Sequence, residues 1–241
     1  MVCSVGILAS SRSATRVVTW DETGLLDKNH NPISKTTGGV QVMVWRATVD
    51  TVDTRMSYTD GGDASWLILS SASGGVTSSA PSAACMQTVF PSWQPKMVTN
   101  GAVLLVVITI SNATQSLAGQ LGGTSSWVCI WCNCYTTSAD TYSSNSSFAV
   151  PQMAVDRTTP LGRMVLACRL RTLSNGDREL SHWRNGTQYR AIIAGSTGDL
   201  NTYLSIQPNT SVVHCVEYNE RLPTDAQVAA RISVLRLKYN C

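Results

Sequence analysis

Charge is what this sequence has least of. Between Ala64 and Ala139, Lys96 is the one charged residue, and over all 241 residues Asp, Glu, Lys and Arg make up 14%, against about a quarter in ordinary soluble domains. A membrane span does not account for the deficit. The longest apolar stretch, Ala102 to Ile110, is interrupted by Thr109 and falls far short of the ~20 residues a spanning helix needs, so no membrane insertion is expected. Basic runs are absent too, and the net charge is only +3, which excludes a basic nucleic-acid-binding arm and leaves Arg12 and Arg16 as the N-terminal cations. There are three histidines, His30, His182 and His214, too few for a Ser-His-Asp or Cys-His site without a nucleophile elbow, and no Gly-x-Ser-x-Gly occurs. Phosphate-cradling patterns are missing as well; Gly119 to Gly123 lies in Ser-rich flanks rather than between a strand and a helix. Asp50, Asp53, Asp60 and Asp63 lack the ligand order of a calcium loop and read as turn caps. The expectation is a chain that is not an enzyme, with no catalytic, cofactor-binding or metal-binding residues and no cofactor.

What the chain has is short β-like runs separated by turns. Thirteen are legible: 16–20, 40–49, 55–59, 66–70, 86–90, 103–111, 127–137, 148–155, 163–171, 189–194, 202–207, 212–217 and 232–239. Pairs such as Asp60-Gly61, Ser73-Gly74-Gly75, Asn100-Gly101 and Asn175-Gly176-Asp177 supply residues that accept positive φ. So many strands exceed one simple sheet, which predicts an all-β chain: an antiparallel β-sandwich with long loops and at most short helices. No linker divides it, so residues 1–241 read as a single domain, 1–15 forming an extended N-terminal arm. Val103 to Ile110 does not alternate, as expected of a central strand buried on both faces, and Trp127 to Cys134 is expected to be a central strand too. At the C-terminus two signals compete. Thr224 and Gln227 form a capping box, and Val228, Ile232, Leu235 and Tyr239 fall at helical spacing, yet 232–239 also alternates with one parity break. A short helix near 225–230 followed by a strand satisfies both.

The eight cysteines cluster most densely at Cys129, Cys132 and Cys134. Core thiols, a disulfide and a zinc site are the readings this spacing admits, the extended flanks favouring the first. Asn112, Asn145, Asn185 and Asn209 match the glycosylation pattern, while the N-terminus makes a poor signal peptide. His214 is placed in a strand on the face of Val212 and Val216, as a hydrogen-bonded core histidine; His182 is placed in an exposed loop. Trp and Tyr, seven each, outnumber two Phe, a bias toward half-buried surfaces. Trp93, Trp183 and Arg184 stand in polar, loop-like sequence and are the expected interface anchors.

Length, many short strands, long Ser/Thr/Gly/Asn loops and scarce charge together resemble the coat proteins of small icosahedral RNA viruses, in the jelly-roll style of the picorna-like viruses. The resemblance implies a jelly-roll capsid domain that assembles with other copies or sister subunits around an RNA genome. It also implies a virion assembled in the host cytoplasm, a possible host receptor as a further partner, and weak, non-specific RNA contact through Arg12 and Arg16. The missing basic arm departs from tombus-like relatives. The other reading is a secreted or surface β-sandwich glycoprotein that binds glycans.

Overall fold

A computed structural model describes residues 15–49, 55–59, 67–79, 85–89, 101–110, 128–129, 140–143, 153–154, 162–193, 205–206, 208 and 211–241. In chain order the elements are β1 (Val17–Asp21), a 3-10 turn (Glu22–Gly24), β2 (Leu25–Leu26), β3 (Val44–Arg46), β4 (Arg55–Thr59), β5 (Ile68–Ser70), β6 (Val76–Ser78), β7 (Cys85–Val89) and β8 (Val103–Ile110). There follow β9 (Val128–Cys129), β10 (Asp140–Ser143), β11 (Met153–Ala154), β12 (Gly162–Thr172), β13 (Arg178–Arg184), β14 (Thr187–Ile193), β15 (Ser205–Ile206), β16 (Val212–Asn219) and the helix α1 (Asp225–Tyr239). Outside the described residues lie Arg12, Trp93, the arm through residue 14, most of the 127–135 sulfur cluster, the four aspartates from Asp50 to Asp63, Gly119 to Gly123, and Asn112, Asn145 and Asn209.

The fold is an antiparallel β-sandwich of jelly-roll-like type with long loops and, among the described residues, one short α-helix. Its larger sheet runs β14-β13-β12-β8-β16-β6-β5, with β1 also on the edge of β16. A five-stranded sheet, β15-β7-β4-β3-β2, covers one face, and β9, β10 and β11 form a third small sheet. All pairings are antiparallel. Between the two large sheets lies the main core, where Leu104, Val106 and Ile108 of β8 meet Trp20, Trp45, Met86 and Ile206. The opposite face of β8, with Val103, Leu105 and Val107, packs with Val165, Trp183 and Cys215 beneath Val228, Ile232, Leu235 and Tyr239 of α1. Strand β8 is therefore apolar on both faces because each face has its own core, as its unbroken hydrophobicity predicts.

The C-terminal segment corrects the sequence reading. Asp225 to Tyr239 is one continuous helix, opened by the expected Thr224–Gln227 capping box and closed at Asn240 in the left-handed region, φ 54°. Its buried residues are the four at helical spacing, while Val234 and Leu237, which the strand reading would have paired with them, face outward. Ion pairs fasten it to the sheet. Arg231 grips Glu217, which is fully buried, with Nε 3.0 Å from both carboxylate oxygens. Asp225 in the first turn takes hydrogen bonds from Arg169 and Arg190, a favourable place for a carboxylate at a helix N-terminus.

Strand β13 is a second correction. Its polar sequence reads as loop, yet it is a full strand whose Glu179, Ser181 and Trp183 share one buried face. Pairing makes that burial affordable: Arg171 lies 2.9 Å from Glu179, and the Ser181 hydroxyl donates to Glu179 at 3.1 Å. Asn185-Gly186, with φ 49° and 98°, forms the tight hairpin turn to β14, the Asn-Gly signal of a two-residue hairpin.

Candidate functional site

Where β16 passes β8 the ladder skips a residue: Val213 pairs with Ile108 and Cys215 with Val107. His214 is the extra residue of a β-bulge, which re-aims it. The expectation that it shares a face with Val216 is thereby corrected. Its Nε2 and the Thr109 hydroxyl are 2.7 Å apart, and its ring centroid is 6.4 Å from that of Tyr239, on the helix side of the sheet.

The bulge is braced by the β5–β6 turn. Ser71 N–H donates to Gly75 C=O at 3.0 Å and Gly74 N–H to Ser71 C=O at 2.9 Å. Gly75 has φ 97°, and a Cβ there would stand 2.3 Å from the Val213 carbonyl oxygen and 2.9 Å from His214 Cα. Only glycine allows that approach. The turn thus brings Ala72, Ser73 and Gly74 over His214.

Around this histidine opens a cleft of about 240 Å³. Lys35 and Thr36 come from the turn before β3, Glu22 from the 3-10 turn, Arg163 from β12, and Lys238 with Tyr239 from the last turn of α1. The side chains are held by one another. Tyr239 donates its hydroxyl to Glu22 at 3.2 Å. Arg163 Nη1 donates to the Tyr239 carbonyl at 2.8 Å, satisfying a helix-end acceptor, and its Nε to the Thr109 hydroxyl at 3.3 Å. Lys238 lies 3.1 Å from Asp21 and 5.1 Å over the Tyr239 ring. The Asp21 carboxyl sits below its ordinary value, since hydrogen bonds from Thr23 and the Lys238 charge outweigh partial burial.

Burial sets the protonation of the groups in and beside the cleft. Burial, aided by the Arg163 charge, pushes His214 down to about 4, so the imidazole is neutral at pH 7. Burial pushes the neighbouring Cys215 thiol up to about 12, and the Tyr239 phenol also moves up. A thiol that keeps its proton is a poor nucleophile. Among the described residues no three His, Cys, Asp or Glu side chains gather to hold a metal ion.

The residues singled out from sequence fall elsewhere. Trp183 is 1% exposed under α1, with the Arg169 guanidinium 5.3 Å from its ring; a ring so enclosed does not present itself to a partner, which corrects its placement as a surface anchor. Arg184 ends β13 half-buried, and Arg16 precedes β1, its backbone N–H donating to Glu220 at 2.8 Å. His182 is fully buried in β13, not in an exposed loop, and burial together with Arg184 pushes it down to about 3. Of the cleft residues, His214 and the Ser73-Gly74 turn carried a sequence signal. Glu22, Lys35, Arg163, Lys238 and Tyr239 did not, because four separate segments supply them.

No family model matches the chain, and no curated protein sequence matches it. Solved structures resemble it in fold to differing degrees. A Trypanosoma rangeli sialidase in complex with 2,3-difluoro-KDN matches with a TM-score of 0.50 and 11% identity, over 92% of this chain and 32% of the sialidase. The binding domain of botulinum neurotoxin DC in complex with SialylT matches at 0.48 and 9%, over 92% of this chain and 52% of that domain. A Caenorhabditis elegans galectin matches at 0.39 and 16%, over 53% of this chain and 88% of the galectin. The chain thus spans about half of the neurotoxin chain and a third of the sialidase. The coat-protein resemblance is overturned: the solved structure that shares the fold at a TM-score of 0.50 is a sialidase and not a viral capsid subunit. With it fall the expected capsid partners, the RNA contact through Arg12 and Arg16, and the virion location.

Proposed function

We propose that this chain is a carbohydrate-binding β-sandwich that holds a saccharide in the cleft around His214 without transforming it. The cleft itself carries the reading. Its volume equals about eight waters at ~30 Å³ each, room for one sugar ring and less than a drug-sized ligand occupies. Its lining combines residues that hydrogen-bond, Thr36, Ser73, Glu22 and the neutral His214, with the aromatic Tyr239. Such a mixture suits a ligand that is polar around its rim and apolar on its ring faces. The fold is also similar to that of a solved sialidase in complex with 2,3-difluoro-KDN, which agrees with a saccharide as ligand. A surface setting, where saccharides are displayed, is what it implies.

The absence of turnover rests on the same groups. Cys215 holds its proton, and His214 is neutral and already engaged with Thr109. Proton-detected titration of the His214 ring with mono- and disaccharides tests the proposal. Shifts confined to His214 and the Ser73–Gly75 turn, with the sugar recovered intact, are the expected result. No shift with any saccharide at millimolar concentration, or cleavage of the sugar, would overturn it.

A further inference from the structure

We infer that the saccharide this cleft prefers carries a carboxylate, an inference that rests on the saccharide reading just given. Three cationic groups, those of Lys35, Arg163 and Lys238, face a lining whose carboxylate is Glu22. Lys238 is committed to Asp21 behind the cleft. Lys35 and Arg163 have no carboxylate partner among the described residues. Arg163 spends Nε and Nη1 on neutral oxygens, from Thr109 and Tyr239, and Nη2 has no partner among the described residues. With Asp21 and Glu22 set against the three cations, one positive charge remains uncompensated. A singly charged ligand balances it; a phosphate dianion would overshoot.

Shape separates the monoanions. Nη2, together with the N–H that Nη1 does not give to Tyr239, presents planar guanidinium donors suited to the coplanar oxygens of a carboxylate. Tetrahedral sulfate fits these donors less well. The field is visible from inside as well, because the Arg163 charge helps to keep His214 unprotonated. Glu22, in the same lining and bonded by Tyr239 through Oε2, keeps Oε1 to accept from a sugar hydroxyl, which helps to orient the ring.

Calorimetric titration of the whole chain with four probes tests the inference: sialyllactose, a galacturonate trisaccharide, lactose and sulfated lactose. At least one carboxylated probe should bind about tenfold or more tightly than lactose, the order expected of a hydrogen-bonded charge pair, and its advantage should shrink with added salt. Which of the two binds tells a nonulosonate from a hexuronate. Arg163 also ties down the helix end, so the deciding variant is Lys35→Gln, on an exposed side chain of the rim. It should weaken the carboxylated probe severalfold more than it weakens lactose, while Lys28→Gln, outside the cleft, should change neither. Lactose or sulfated lactose binding as tightly as both carboxylated probes would overturn the carboxylate inference and leave the saccharide reading intact. Failure of all four probes to bind would overturn both.

Discussion

Single side chains in this protein are governed more by their neighbours across strands than by their neighbours in sequence. His182, Trp183 and Arg184 stand in a polar run that reads as loop, yet the first two are among the most enclosed side chains of the molecule. The burial is made possible by partners far away in sequence, such as Arg169 over Trp183, and no local pattern announces them. Both buried histidines make stability depend on pH. Each has a folded value well below the ordinary 6.5, His214 at about 4 and His182 at about 3, so the unfolded chain binds more protons between those limits. Their contribution is complete above pH 6.5 and drains away as pH falls toward 3, a loss on the order of a few kcal/mol for each ring. Denaturant titrations between pH 7 and pH 3.5 should show it, and His182→Gln should flatten the slope; a stability unchanged over that range would contradict the burial of both rings. Gly75 is the second residue with an outsized role. Gly75→Ala must relieve a 2.3 Å approach to the Val213 carbonyl at a positive φ, and should cost about 2 kcal/mol or more. Saccharide affinity should fall with it, because the same turn roofs the cleft.

The elements show where sequence patterns suffice and where they tie. The strand-and-turn cadence of 16–20, 55–59, 86–90, 103–111 and 163–171 reappears within a residue or so at each end, because alternation and Gly-bearing turns are local signals. The segment 225–239 was undecidable by period alone, since β-branched and leucine residues satisfy two templates. What decides it is the apolar face of the larger sheet, which needs a cover, and the capping box that starts a helix in the right place. The helix is then locked by a charge pair that is sensitive to being halved. Arg231→Met leaves Glu217 buried without its partner and should cost about 3–5 kcal/mol. Adding Glu217→Leu should recover part of that loss in urea denaturation; a double variant as unstable as the single one would mean that the pair itself, and not the stranded charge, supplies the stability.

At the scale of the whole molecule, one strand belongs to two cores. Because β8 lines both the sandwich interior and the helix interface, neither layer can open without exposing the other, and the two large sheets and the helix should unfold in a single transition. Val106→Lys places an unpaired charge at a 2% exposed position of that strand and should leave no folded protein to purify. A soluble variant with native circular dichroism would show that the core tolerates rearrangement there. The sandwich was legible from strand count, whereas the third layer and the cleft were not, since the cleft joins Glu22, Lys35, Ser73, Arg163, His214 and Tyr239 across nearly the whole chain. Scarce charge misled in the same way: composition counts residues without saying which are enclosed, and the coat-protein reading grew from that count.

The bulge at His214 separates what the sheet requires from what the cleft requires. Val213 and Cys215 already pair with the consecutive residues Ile108 and Val107, so the ladder would close without change if the residue between them were deleted. Substitutions elsewhere in β16 trade folding against binding, but a one-codon deletion at this position should yield a regular strand with every core side chain on its present face. A deletion scan along β16 should therefore find one tolerated gap, and the protein that carries it should be folded and unable to hold a sugar.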